Sequence, residues 1–350
     1  MTGAPHATRE TSARAVVVDG PRQYRLVRGV PALPGPHQVR VAVYAAGVSA
    51  TERALYEGTP HVADARYPVT PGREWSGTVD AVGEDTDPSL LGRKVVAEGI
   101  RSCLSCARCR EGATPLCLGG AEITGVTLPG AFADALTLPA RLLHLLRDEA
   151  DLTAAALLQP GAVAAAAVLA GEPRPGERVA VLGAGTLGLL TVQLLAAVSP
   201  VELLVVDPLR YRAERALRLG ASGIHTPDDL GSLRGRCDLV VETAGANESA
   251  LDACQLARRG GRTVLTGSFD ETARGIDPGH LITNQLTVRT VCGAPPAAWS
   301  YAVRAFTAGQ LDPARLISHA LPLSEFPRAV ALSQSGGPEV GKVLLCPGTD

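Results

Sequence analysis

The chain has 350 residues and a formal net charge of −2, long enough for about two domains of roughly 150 residues each. Acidic and basic residues are interleaved, so no basic stripe points to nucleic acid and no acidic tail to a charged partner. The opening stretch MTGAPHATRETSARAVVVDG lacks the apolar core of a signal peptide. The Ala/Leu-rich run at residues 152–170 contains Gln159, Pro160 and Gly161. It reads as a buried helix broken near its middle rather than a membrane span, and a cytoplasmic protein is expected.

In chain order, the first part is rich in strands. SARAVVVDG, QYRLVRGV and HQVRVAVYAAGV are short alternating or β-branched runs, separated by clusters such as PALPGPH. EWSGTVDAVG and RKVVAEGI continue the pattern. CLSCARCREGATPLC follows at residues 103–117, then GAFADALTLPA, a further strand candidate. Beyond about residue 150 strands and helices alternate: ERVAVLGAG, TLGLLTVQLLAAV, VELLVVD, RYRAERALRLGA, CDLVVETAG, ESALDACQLARRGG and RTVLTGSF. That alternation predicts a parallel sheet covered on both faces. The last fifty residues or so are mixed, with helices near residues 299–308 and 323–334 and a closing strand KVLLCP.

GAGTLG lies between the strand RVAVL and an apolar helix. Gly183 suits the tight turn, Gly185 lets the backbone approach a pyrophosphate, and Gly188 permits close helix–strand packing. Thr186 and Leu187 open the helix, whose N-terminus offers free N–H groups to phosphates. Asp207 closes VELLVVD about 20 residues beyond the last glycine, where a carboxylate accepts from a ribose 2′-hydroxyl. It favours NAD(H) over NADP(H), although Arg212, five positions on, could meet the adenosine ribose or a 2′-phosphate.

Cys103, Cys106, Cys109 and Cys117 form a four-thiolate set that suits a closed structural zinc site; an iron–sulfur cluster is the chemical competitor. The scattered Cys237, Cys254, Cys292 and Cys346 read as small apolar residues or free thiols.

Together, the β-rich first part, the cysteine loop, GAFADALTLPA, GAGTLG and the returning C-terminal segment resemble the medium-chain dehydrogenase/reductase superfamily, in particular its zinc-containing alcohol and polyol dehydrogenase branch. The resemblance spans essentially the whole chain. It implies an α/β fold with a GroES-like β-rich catalytic domain (residues 1–153 and 296–350, zinc lobe at about 100–120) and a Rossmann doubly wound parallel sheet (residues 154–295). It implies that the four cysteines hold one structural zinc, that Lys342 lies near the cofactor pyrophosphate, and that the chain pairs as a homodimer or homotetramer through sheet edges near LTVRTVCGA.

The resemblance also exposes a departure. Where the branch has a catalytic-zinc Cys this chain has Ser49, in GVSAT, with Thr51 at a proton-relay hydroxyl. Where it has His, this chain has Arg73, in GRE, followed by the retained Glu74. The third ligand position falls at Gln159, in LLQP. A hydroxyl, a guanidinium that cannot deprotonate and a neutral amide do not make a zinc site, so no catalytic zinc is expected. Arg73 either takes over part of the metal's charge-stabilising role or is an internal ion-pair partner of Glu74 or Glu52. Three functions remain open at this stage: hydride transfer on an alcohol/carbonyl small-molecule substrate, reduction of an activated C=C or C=N bond, and a catalytically silent nucleotide-binding protein. Trp75, Trp299, Tyr56 and His61 are weaker pocket candidates.

Overall fold

The computed structural model of the chain describes residues 12–59, 66–268 and 273–349. His61 lies outside them. Two large sheets and two two-stranded ones order the described residues.

The first sheet has seven strands, in the order Ile317–Leu321, Lys342–Leu345, Gln38–Val48, Glu74–Val82, Lys94–Ala97 and Leu143–Leu145, with Ala135–Pro139 also paired to Gln38–Val48. Its pairs are antiparallel except for that between Ile317–Leu321 and Lys342–Leu345. The C-terminal strand thus returns to the N-terminal sheet. Its register sets Leu344 opposite Gly47, and Gly47 in turn lies opposite Glu74.

The second sheet has six parallel strands, in the order Gly223–His225, Glu202–Val206, Arg178–Leu182, Cys237–Glu242, Ala257–Leu265 and Thr287–Thr290. Strands covered by helices on both faces read as continuous apolar runs, and RVAVL, ELLVV and DLVVE do so here. The strand order reverses between Arg178–Leu182 and Cys237–Glu242, a switch point where a crevice opens at the carboxyl ends of the strands.

Helix Leu158–Gly171 joins the two halves. One apolar core runs from Ala45 and Val96 of the first sheet, through this helix, to Val179, Val181 and Leu239 of the second. Helix Pro296–Thr307 packs onto it through Ala298, Trp299, Ala302 and Ala305. Leu157, Leu158, Leu190, Leu194 and Leu195 are fully buried, each stabilising the fold by about 1.5–3 kcal/mol.

Some boundaries differ from the sequence reading. The break in the run at residues 152–170 falls at Ala156–Leu157, between Leu152–Ala155 and Leu158–Gly171. Pro160 sits in the first turn of the second helix, where its missing N–H costs nothing. The helix beginning at Ser249 stops at Leu256, and ARRGG enters the next strand. Trp75 and Trp299 are packing residues, each 3 % exposed. Tyr56 stands edge-on to Phe326. No helix among the described residues is long and apolar enough to cross a membrane.

Gly188 is where helix and strand meet most tightly. A Cβ built there would lie 1.9 Å from the Gly183 carbonyl oxygen and 2.9 Å from Thr243 Oγ1. Backbone cannot yield as a flexible side chain does, so Gly188→Ala is expected to cost about 1–3 kcal/mol or more. Urea unfolding measures it; an unchanged midpoint would refute the packing argument.

Candidate functional site

A cleft of about 450 Å³ runs between the two sheets. One wall is the glycine-rich turn and helix start, Ala184, Gly185, Thr186 and Leu187. Gly183 has φ +97°, a conformation open to glycine. Nothing lies within 4 Å of a Cβ built at Gly185, so that face is open for a ligand to approach. Gly185 is the N-cap of Thr186–Ala196, and no side chain caps the helix. Its first N–H groups and positive dipole end therefore remain to meet an anion. These features fit a dinucleotide pyrophosphate.

Asp207 is 5 % exposed. Its carboxylate accepts from the backbone N–H of Ala184 at 2.7 Å and of Leu209 at 2.8 Å. It fastens the glycine-rich turn to the following loop and is not part of the cleft wall. Arg212 and Arg215 do line the cleft. Arg215, on helix Arg210–Leu217, also donates to the carbonyls of Val340 at 3.0 Å and Pro338 at 2.5 Å, so that helix is tied to the segment that leads into Lys342.

At the other end, Ser49 is the N-cap of Ala50–Glu57 in a capping box. Its hydroxyl donates to Glu52 Oε2 and accepts from the N–H of Thr51 at 3.1 Å. Buried Glu52 also accepts from Ser49 N–H at 2.9 Å and Arg73 N–H at 3.1 Å. The Arg73 guanidinium donates to Thr51 Oγ1 at 3.2 Å, and its Nε is buried without a partner. It makes no ion pair with Glu52 or Glu74 among the described residues. The partner of Glu74 is instead Lys342, with Nζ 2.5 Å from Oε2; the contact is one of charge rather than an aligned hydrogen bond. Both side chains are nearly buried, at 5 % and 6 % exposure. Burial pushes the Glu74 carboxyl above its ordinary range and the Lys342 ammonium pulls it back; Glu52 adds to the rise and Arg73 opposes it.

The structure thus brings Ser49, Glu74 and Lys342 together on the cleft wall with Arg53 and Pro160. Thr51, Arg73 and Gln159 are half-buried and not part of that wall. Two contributors were missed in the sequence. Glu242, fully buried at a strand end, accepts from the N–H groups of Ala244, Gly245 and Gly267 and from Ser249 Oγ. It shapes the loop through which Thr243 and Ala244 line the cleft, and the signal was visible as an acid ending DLVVE, as Asp207 ends VELLVVD. Gly47 had no such signal.

In the cysteine lobe, the sulfurs of Cys103, Cys106, Cys109 and Cys117 lie within 4.8 Å of one another, and Cys103 Sγ and Cys109 Sγ are 3.9 Å apart. Tetrahedral zinc with Zn–S of about 2.3 Å requires sulfur spacings of about 3.8 Å, so the set fits. Hydrogen bonds from Ser105 and nearby N–H groups hold the Cys103 thiol down at about 5, whereas burial pushes Cys109 up to about 11. The divalent charge of a bound metal would supply the field that turns the remaining thiols into thiolates.

A β-rich unit that carries a closed thiolate site, joined through a cleft to a doubly wound nucleotide sheet, defines a zinc-lobed dehydrogenase class. Family models agree: residues 35–148 match the alcohol dehydrogenase GroES-like domain and residues 186–308 the zinc-binding dehydrogenase domain. The chain is 31 % identical over 338 residues to the 2-dehydro-3-deoxy-L-galactonate 5-dehydrogenase of Pseudoalteromonas atlantica, covering 93 % of this chain and 96 % of that one. A zinc-binding dehydrogenase from Sinorhizobium meliloti 1021, solved with NADP, superposes with a TM-score of 0.90 at 25 % identity, over 96 % of this chain and all of that one. An alcohol dehydrogenase from Escherichia coli CFT073, solved with NADH, shares the fold at a TM-score of 0.89 and 24 % identity, over 96 % and 99 % of the two chains. The protein belongs to the zinc-containing alcohol dehydrogenase branch of the medium-chain dehydrogenase/reductase superfamily.

Zinc removal from the lobe should lower stability without touching the cleft. Incubation with a strong chelator is expected to release zinc and lower the thermal midpoint by several degrees, read by atomic absorption and calorimetry; an unchanged midpoint after complete release would sink the structural role. Glu242→Ala strips the acceptor from four donors and should cost about 3 kcal/mol, measured by chemical unfolding.

Proposed function

We propose that this protein is a nicotinamide-dinucleotide-dependent oxidoreductase that transfers hydride on an alcohol/carbonyl pair of a small-molecule substrate without a catalytic zinc. The observation that carries the reading is the donor chemistry at three positions taken together. Arg73 cannot deprotonate to offer a lone pair, and its charge would repel Zn²⁺. Ser49 is a hydroxyl whose proton is committed to Glu52. Gln159 is a neutral amide. The chemistry of these groups supports side-chain nitrogen as the source of positive charge, with Arg73 as a fixed cation behind the wall and Lys342 on it.

NAD(H) is the preferred cofactor on this reading. The buried carboxylate of Asp207 stands beside the turn that would hold the dinucleotide, and a carboxylate at this strand end disfavours a 2′-phosphate. Arg212 then meets the adenosine ribose. The bound nicotinamide supplies the hydride; the chain supplies the binding surface, its charge and the proton. Strand Thr287–Thr290 stands at a sheet edge, and it is where a homodimer would pair; light scattering tests that.

Metal analysis should return one zinc per chain; two would restore metal catalysis and overturn the reading. Titration of nicotinamide fluorescence is expected to give NADH an affinity at least about tenfold above NADPH, a difference of about 1.4 kcal/mol, and equal affinities would remove the role given to Asp207. Alcohols and carbonyls are screened by nicotinamide absorbance. With a compound so found, Arg73→Ala should lower turnover while NADH binding is retained; unchanged turnover would take Arg73 out of the mechanism.

A further inference from the structure

A second, smaller cavity of about 160 Å³ adjoins the cleft, and Arg215 and Gly341 line both. One side of it belongs to the nucleotide half. Arg215 stands on helix Arg210–Leu217, and Arg218 and Leu219 follow at its end. The other side belongs to the C-terminal segment that returns to the first sheet, through Arg315, Ser318 and Gly341. The floor is fixed backbone. A Cβ built at Gly341 would lie 2.2 Å from the Leu316 carbonyl oxygen, and the Gly341 N–H donates to Ser318 Oγ at 2.8 Å.

Three guanidiniums line this space and no carboxylate does. The one acid of the helix, Glu214, is paired with Arg210 at 3.2 Å instead. The ties the three make are to carbonyls: Arg215 to Val340 and Pro338, and Arg315 to Arg218. A carbonyl fixes where a guanidinium stands without cancelling its charge, and each guanidinium has further N–H donors to give. The exposed Arg218 side chain donates to nothing among the described residues. Like charges gathered in this way repel, and an anion among them relieves the repulsion. The volume falls below the roughly 300–1,000 Å³ of small-molecule pockets, so the cavity suits a small oxyanion and not a nucleotide. Arginine's planar fork matches phosphate oxygens. A carboxylate brings one charge, whereas a phosphate brings about 1.5–2 near neutral pH and answers more of the three.

We propose that Arg215, Arg218 and Arg315 form a binding site for a phosphate dianion, separate from the dinucleotide site. The bound anion bridges the two halves of the molecule, with Arg215 and Arg218 on one side and Arg315 on the other. The two ligands share a wall without sharing a space. The uncapped start of helix Thr186–Ala196, where a pyrophosphate fits, lines the cleft and not this cavity. Inorganic phosphate and the phosphoryl group of a small phosphate ester present the same oxygens to the arginines. The site does not depend on which reaction the cleft performs.

The test titrates inorganic phosphate into the whole protein by calorimetry, first alone and then with saturating NADH. One phosphate per chain is expected under both conditions, with a Kd of about 1 mM or tighter. The thermal midpoint should rise with phosphate, since a ligand of the folded state stabilises it, and rise less with chloride at matched ionic strength. Arg218→Gln and Arg315→Gln, both changes of exposed side chains, should each weaken phosphate at least about tenfold and leave NADH affinity within about threefold. Arg315→Lys keeps the charge and loses the fork, so it should fall between. Glycerol phosphate distinguishes the sources: binding as tight as that of inorganic phosphate supports an ester, and binding of inorganic phosphate alone supports the free ion. Absence of saturable binding would overturn the proposal, as would an equal midpoint rise with chloride, which is screening. Phosphate bound only without NADH would place the anion in the dinucleotide cleft and overturn it as well. So would phosphate affinity unchanged in both glutamine variants.

Discussion

A carboxylate taken out of water must be met by donors or by a cation, or the fold loses several kcal/mol. Glu52, Glu74, Asp207 and Glu242 are the buried acids among the described residues, and Lys342 is the buried base. All five stand on or beside the one large cleft. Glu52 ties the start of helix Ala50–Glu57 to the backbone of Arg73. Asp207 ties the glycine-rich turn to the next loop. Glu242 gathers three backbone N–H groups and a hydroxyl. The cleft holds its shape because each wall is pinned by a charge that has nowhere else to go.

That constraint also separates the two ends of the cleft. At the nucleotide end the buried acids spend their lone pairs on backbone, leaving the uncapped helix start and the arginines to meet an anionic ligand. At the other end Ser49, Arg73 and Gln159 carry a hydroxyl, a guanidinium and an amide. The hydroxyl has become a helix cap and the guanidinium a donor to Thr51. Both have been absorbed into local structure, and the pair that remains on the wall, Glu74 and Lys342, comes from two strands joined through Gly47. The cysteine lobe stands apart, its four sulfurs within 4.8 Å of one another.

Much of this was legible in the sequence because the signals were local. The cysteine spacing, the GAGTLG turn between a strand and a helix, and the alternation of RVAVL, ELLVV and DLVVE each encode their structure within a few tens of residues. Ser49, Arg73 and Gln159 could be read as replaced ligand positions because each sits in a short motif. The role of Arg73 as an ion-pair partner of Glu74 or Glu52 was one of two readings open from sequence; the structure pairs Glu74 with Lys342 instead. The helix that ends at Leu256 and the break at residues 156–157 were placed a few residues off, because glycines and prolines mark ends without saying which side of the end they occupy.

By itself, then, the sequence determined the fold class, the nucleotide turn and the thiolate set, all written in periodicity and spacing along the chain. Only the tertiary structure decided which polar groups are free. The Ser49 hydroxyl donates to Glu52, Asp207 turns both oxygens to backbone, and Lys342 finds Glu74 across a glycine distant from both in sequence. The reason is physical: a residue's type states what it can donate or accept, but burial and register state what it has left to give.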